Sequence, residues 1–245
     1  MLYLRRKKTA TLKTYIFLLL GLVFISFDSK AQVELYLEEH DAKPYYFGIT
    51  LASNMGRFHT HLHETFLQQD SIMVAEPLNS GGFALGLLAT ARLTNRFEAR
   101  FNPTLNFTER VIYYKLKYQD LDHGYEVEKK VESVIVSFPL QFKFRSDRIG
   151  NFRVYMLGGG KLDYDLASNA QARRAEDMVK IGKLDYGIEG GIGFNFYFQS
   201  FIFSPEIKIS NGLNNMHSRD EKLKYSSVLD KIQSRMIVFS IHLEG

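Results

Sequence analysis

Three histidines alternate in the run His59-Thr60-His61-Leu62-His63, and an extended backbone would put their imidazoles on one side, where zinc, nickel or copper could bind. The run falls in a stretch that reads as an outer loop with nothing to orient the rings, so solvated loop histidines are expected. Gly158-Gly159-Gly160-Lys161 suggests a phosphate loop, but Leu162 stands where Ser or Thr is needed and the G-x-x-x-x-G-K-[ST] spacing is missing. These glycines, and Gly187, Gly190, Gly191 and Gly193, fit better as places where neighbouring strands bend or approach closely. His217-Ser218 is a bare dipeptide, no G-x-S-x-G occurs, and His242 reads as a lumen hydrogen bonder. With no Cys in the chain, disulfide, thiolate and redox chemistry have no residues to carry them. The expectation is therefore no catalytic residue, no cofactor-binding residue, no metal ligand and no cofactor.

The elements that would position such residues begin after a leader. Residues 1–31 hold six of the basic residues (Arg5, Arg6, Lys7, Lys8, Lys13, Lys30) against one acid, Asp28. Without them 25 basic and 26 acidic residues remain, so the charge of +4 belongs to the leader and no nucleic-acid partner is implied. A cationic start, an apolar run from Tyr15 to Phe27 and Ser29-Lys30-Ala31 before Gln32 read as a cleaved secretory signal. No later apolar run is long enough for a membrane-spanning helix, so any residence in a membrane must be as a barrel.

Residues 32–245 carry no linker or low-complexity tract and read as one domain: a periplasmic segment over 32–43, then a barrel over 44–245. The dominant pattern is alternation. Phe97, Ala99, Phe101, Pro103, Leu105 and Phe107 share one parity, and Glu98, Arg100, Asn102, Thr104 and Asn106 share the other. Segments 44–53, 82–92, 133–145, 152–164, 184–198, 201–210 and 235–243 behave alike, which gives eight strands, an even number able to close. Short turns (93–96, 146–151, 199–200) alternate with long connections (54–81, a hairpin extension around 109–132, 165–183, 211–234), the asymmetry of outer-membrane barrels. Aromatics gather near the short turns, at Tyr45, Phe97, Phe144, Phe152, Phe198 and Phe201, as in an interfacial girdle. The fold expected is all-β: an eight-stranded antiparallel up-and-down transmembrane β-barrel. Glu98, Arg100, Gln141, Lys143, Lys161, Asp163, Asp185, Glu189, Glu206 and Lys208 would pair across the lumen and plug it. A secreted lipocalin-like carrier has the same strand count with its apolar face inward, and alternation cannot say which face is which. Residues 165–183 are the helix-prone exception, with Ser168 or Asn169 as cap and Gly182 as stop, and a loop helix beside Arg173 and Arg174 is a candidate partner site.

Several segments in order resemble one family. They are Lys43-Pro-Tyr-Tyr-Phe-Gly-Ile49, Glu109-Arg110, Phe138-Pro-Leu140, Asp165 to Ala170 with Arg174-Ala-Glu-Asp177, Ser204-Pro-Glu-Ile-Lys208, Ser210-Asn-Gly-Leu-Asn214 and Ser234 to Glu244. Together they resemble the PorT (also SprT) proteins of the phylum Bacteroidetes over essentially all of residues 40–245. The resemblance implies a non-enzymatic outer-membrane barrel required for type IX secretion, which exports sorting-domain proteins such as proteases and gliding adhesins. It implies contact with outer-membrane lipid and with other secretion components, and no small-molecule substrate. No ligand residue carries over; the matching loops place partner contacts at Ser168, Asn169, Arg173, Arg174, Glu176 and Asp177 and at Asn211 and Asn214. A lipid A-modifying enzyme is the rival from another class, and it would need a Ser/His/acid cluster that the spacing does not show.

Overall fold

The computed structural model describes residues 34–64, 66, 71–120, 124–167, 181–218 and 223–245. The chain divides into Met1–Leu35 and Tyr36–Gly245, and the fold is that of the second unit; the expected signal sequence lies outside the described residues. Ten strands follow in order: β1 (Tyr45–Leu62), β2 (Ile72–Leu78), β3 (Ser80–Arg92), β4 (Phe97–Phe101), β5 (Thr104–Asp120), β6 (Gly124–Arg145), β7 (Phe152–Asp165), β8 (Leu184–Tyr197), β9 (Ile202–Gly212) and β10 (Leu229–Glu244). All pairings are antiparallel, and β1 pairs with both β10 and β3, which closes the sheet on itself.

Ten strands make eight staves. β2 and β3 are one stave interrupted at Asn79, and β4 and β5 are one stave interrupted at Asn102 and Pro103, which both pair with β6. Proline has no N–H to give to a ladder, so a break at Pro103 is what its chemistry dictates. The turns 93–96, 146–151 and 198–201 lie at one end. At the other end the strands run further than alternation suggested: β1 stays paired to Leu62, and β5 and β6 pair out to Asp120 and Gly124. The hairpin extension expected around 109–132 is therefore present, and much of the connection expected over 54–81 is strand as well. A helical turn, Lys224–Ser227, sits in the last long connection; of the helix-prone segment 165–183, residues 168–180 lie outside the described residues, and at its described end Ile181, just before the expected stop at Gly182, forms a β-bridge with His217.

The faces are inverted relative to a soluble protein. On β6 the outward residues Phe138, Leu140, Phe142 and Phe144 are exposed (Leu140 55%, Phe142 58%) while Gln141 and Lys143 between them are fully buried. The same holds on β1, where Tyr45, Phe47, Ile49 and Leu51 face out and Tyr46 and Thr50 face in. Stable exposure of so much apolar surface requires an apolar solvent. The outward apolar run of β6, Phe144 to Val134, rises about 25 Å at ~3.3 Å per residue and a ~40° tilt, the height of an outer-membrane band. The lipocalin arrangement, with its apolar face inward, is thereby excluded.

Above that band the polarity reverses without a change of parity. The outward residues become Arg57, His59 and His61 on β1, Glu126, Glu128 and Lys130 on β6, and Arg235 and Lys231 on β10. Inside, Phe58, Ile112, Tyr114, Leu116, Val127, Leu229, Ile232 and neighbours form a conventional apolar core joined by Ile181, Met216, Tyr225 and Val228 from the connections. Each large side chain buried there contributes roughly 1.5–3 kcal/mol, enough to hold the connections over the barrel mouth. The barrel is thus a lipid-facing cylinder continued by a water-facing crown.

Candidate functional site

The lumen is built from alternate residues of all eight staves, and its lower layer centres on Arg100. The Arg100 guanidinium donates to Glu206 Oε2 (2.7 Å) and to Glu244 Oε1 (3.1 Å), and all three side chains are fully buried. Tyr155 also donates to Glu206 Oε2 (2.8 Å), and His242 Nε2 lies 3.3 Å from the same oxygen while its Nδ1 meets Thr50 Oγ1 at 2.9 Å. Gly193 makes room for this arrangement: a Cβ there would collide with the Tyr155 ring and hydroxyl. Beside it Glu98 accepts from Tyr46 (2.8 Å) and faces Arg145 (3.0 Å) and Lys143 (3.6 Å). Burying charges is costly unless each finds its opposite, and here positive and negative groups interlock.

Higher in the lumen Lys208 faces Glu189 (3.4 Å), Gln141 donates to Glu189, and Lys161 pairs with Asp163. Above these Arg110 lies over the Phe58 ring, bonds Ser133 Oγ (2.6 Å) and Ser234 Oγ (3.3 Å), and faces Asp165 (3.5 Å). Between the layers a cavity of about 20 Å³, lined by Thr50, Asn102, Asn106 and Ser240 among others, has room for about one water. This interior has the form of a plug: paired charges fill it, as the polar parity predicted for Glu98, Arg100, Gln141, Lys143, Lys161, Asp163, Glu189, Glu206 and Lys208. Asp185 is also inward and buried, against Gly212. His242 is the lumen hydrogen bonder expected of it.

A short N-terminal segment closes the lower end. The 3-10 turn Glu38–Ala42 sets Asp41 against Arg153 (2.8 Å), Arg148 (3.3 Å) and Arg145 (3.6 Å), while Arg92 donates to the carbonyls of His40 and Asp41. Tyr36 N donates to Asn151 Oδ1 (2.9 Å). Burial acts to raise the Asp41 carboxyl, but Arg153, with Arg148 and Arg145, holds it below the usual carboxylate range. His40 is buried against the Tyr46 ring (centroids 4.5 Å apart), and burial lowers its pKa to about 4.

The residues singled out for chemistry are not brought together as a site. His59 and His61 are on β1 rather than in a loop, on its outer face with rings 4.9 Å apart, and among the described residues no group of His, Asp or Glu is placed to hold a metal. The correction follows from pairing: β10 supplies ladder partners for both residues, which a loop would lack. His217 Nε2 meets Ser226 Oγ (2.9 Å), not Ser218, and its Nδ1 faces the Asp230 carbonyl (3.4 Å) rather than a carboxylate. Ser226 is buried in the crown, so this contact fastens a connection. Gly159 lies against the Leu140 carbonyl, and Lys161 points into the lumen, which leaves no phosphate loop. Asn214 Nδ2 donates to the Leu184 carbonyl (2.8 Å), and Asn211 faces outward at the top of the apolar band. Ser168, Asn169, Arg173, Arg174, Glu176 and Asp177 lie outside the described residues.

Comparison with known proteins adds a family. A family model described as an outer membrane protein beta-barrel domain matches residues 31–218. A search of the curated proteins finds no match. Among solved structures the chain is similar to the outer membrane protein OprG from Pseudomonas aeruginosa, at 13% identity, with a TM-score of 0.48 over 82% of this chain and 93% of that chain. It is also similar to Neisserial surface protein A, at 9% identity and a TM-score of 0.37 over 80% and 95% of the two chains. A further similar structure is Ail, the attachment invasion locus protein of Yersinia pestis, at 9% identity and a TM-score of 0.38 over 83% and 100%. With most of its length matched by the family model, and an apolar wall of bilayer height around a charge-filled lumen, the chain belongs to the outer membrane protein beta-barrel domain family and is an outer-membrane protein.

Proposed function

We propose that this barrel is a non-enzymatic component of type IX secretion, acting through its outward loops and its assembly with other secretion proteins rather than by conduction or catalysis. The observation that carries the reading is the lumen: among the described residues most of its charges are paired, and the cavity between its layers, about 20 Å³, has room for about one water. The choice of secretion system rests on the resemblance to the PorT proteins. In support, some of the resembling segments are neighbours in space: Glu206 meets His242, and Arg110 meets Ser234, in the lumen network. Export behind a cleaved signal over residues 1–31 belongs to the same reading.

Replacing residues 168–177 with serine tests it. Connections at barrel ends tolerate change, so the variant is expected to insert normally, judged by heat-modifiable migration of outer-membrane fractions. Export of sorting-domain proteins is expected to stop. Normal insertion together with normal export removes this loop as the partner site. Co-purification from gently solubilised outer membranes is expected to bring down other secretion components, and recovery of the barrel alone would count against the assembly role.

A further inference from the structure

The polarity of the wall reverses at one row of residues, and that row holds two arginines in direct opposition. Arg57 on β1 and Arg235 on β10 are Cα partners across the antiparallel ladder, both exposed on the outer face, and Asn211 on β9 is the next member of the row. Like charges directly opposite on neighbouring strands repel. Among the described residues neither guanidinium has a hydrogen bond, ion pair or ring contact to offset this, and neither does the Asn211 side chain. The network that pairs nearly every charge in the lumen leaves these two cations on the wall unbalanced.

Their height identifies what could balance them. The next outward residues toward the short-turn end are Met55, Ile237 and Ile209, all exposed and apolar, so the row marks the upper edge of the hydrocarbon band. One step further down the same strands, Ser53, Phe239, Ile207 and Pro205, with Ile192 and Phe194 of β8, line an apolar groove of about 610 Å³. The groove has a local cause. Phe194 and Asn195 lack ladder partners on β9, opposite Ser204 and Pro205, because proline offers no N–H there. An occupant of this strip must present apolar chain to the groove and an anion to the arginines above it.

We propose that Arg57 and Arg235, with Asn211 beside them, bind the phosphate of an outer-leaflet lipid whose acyl chain lies in the groove at Pro205. Two guanidiniums can each give paired N–H donors to phosphate oxygens, and a phosphomonoester carries enough negative charge to neutralise both. Asn211 adds an amide donor at the same height. The proposal takes from the preceding reading only the orientation of the barrel, with the long connections outward. Its test reads lipid retention and is independent of secretion.

The experiment uses the full chain in detergent, with lipid retention read by native mass spectrometry. The probes are monophosphoryl lipid A, the same lipid without its phosphate, and inorganic phosphate as competitor. The wild-type chain is expected to retain the phosphorylated lipid and to lose about tenfold in retention when the phosphate is absent. Arg57→Gln with Arg235→Gln is expected to reduce retention of the phosphorylated lipid by a similar factor, while Lys130→Gln on the far wall leaves it unchanged. Equal retention of the two lipids by the wild-type chain overturns the proposal without any variant. So does an equal loss in Lys130→Gln, which would indicate diffuse attraction, or full displacement by inorganic phosphate, which would indicate an anion site without a lipid. Heat-modifiable migration checks that each variant is folded, and Arg235→Gln alone serves if the double variant is not.

Discussion

Arg100 carries a full charge with no exposed atom, and two carboxylates depend on it. Replacing it with Met leaves Glu206 and Glu244 buried beside Tyr155 and His242 without their guanidinium, so Arg100→Met is expected to cost about 3–5 kcal/mol. Denaturant titration of the barrel folded into lipid vesicles would measure it. Adding Glu206→Gln and Glu244→Gln is expected to recover much of the loss, since the residues share one network and their effects cannot add. Full additivity would show that the pairing has been misread. Gly193→Ala tests the same centre from the other side. Its methyl must displace the Tyr155 ring, and the hydroxyl that donates to Glu206, at about 1–3 kcal/mol by the same titration.

On the strands, the outward residues of β6 pass from Phe144 to Val134 and then to Glu132, Lys130 and Glu128, while the inward ones pass from Lys143 and Gln141 to Val131 and Val127. One strand therefore reports both solvents. Leu140→Arg, near the middle of the band, is expected to cost about 2–4 kcal/mol of folding into vesicles. Glu128→Arg, on the crown of the same strand, is expected to stay within about 0.5 kcal/mol. Equal tolerance at the two positions would mean that the lipid boundary does not fall between them.

For the molecule as a whole, the lower closure is the part that responds to pH. His40 is held neutral by burial with a pKa of about 4, against 6.5 for a free ring. The undocked segment therefore binds a proton first, so the contribution of His40 to docking is complete above pH 6.5 and declines as pH falls toward 4. Asp41, held below the usual carboxylate range, loses its contribution at lower pH still, as its own folded value is crossed. Both act in the same direction. Amide exchange over residues 36–44, corrected for intrinsic rates, is expected to be faster at about pH 5 than at about pH 7.5, with the strand amides unchanged. Equal protection at the two pH values would remove His40 as the cause. Asp41→Asn is expected to loosen the same segment at neutral pH, because Arg153, Arg148 and Arg145 lose their shared anion.

The period-two pattern, read residue by residue, was sufficient for the staves. Phe97 to Phe107 against Glu98 to Asn106 defines two faces whatever the partner strands are, because side chains on a strand must alternate. The even count with alternating short and long connections implied closure, whereas the break at Asn102 and Pro103 was not anticipated, since the alternation runs through Pro103 without interruption. Alternation by itself is symmetric between an apolar-in and an apolar-out barrel; the face toward lipid was read from the alternating short and long connections and the aromatics near the short turns, and the exposure of Leu140 and Phe142 agrees with it. The height at which the wall meets water was not legible: β6 passes from Val134 to Glu132 with parity unbroken, and only the register of neighbouring strands sets Arg57 and Arg235 into one row around the wall. For the same reason His59 and His61 looked like loop residues until β10 supplied their ladder. Most lumen partners were beyond reach, since Arg100 meets Glu206 and Glu244 at sequence separations of 106 and 144, and Arg110 meets Ser234 at 124. Local pattern determines which residues share a face, but only closure of the barrel decides which charges meet across the lumen, because those partners are far apart in sequence.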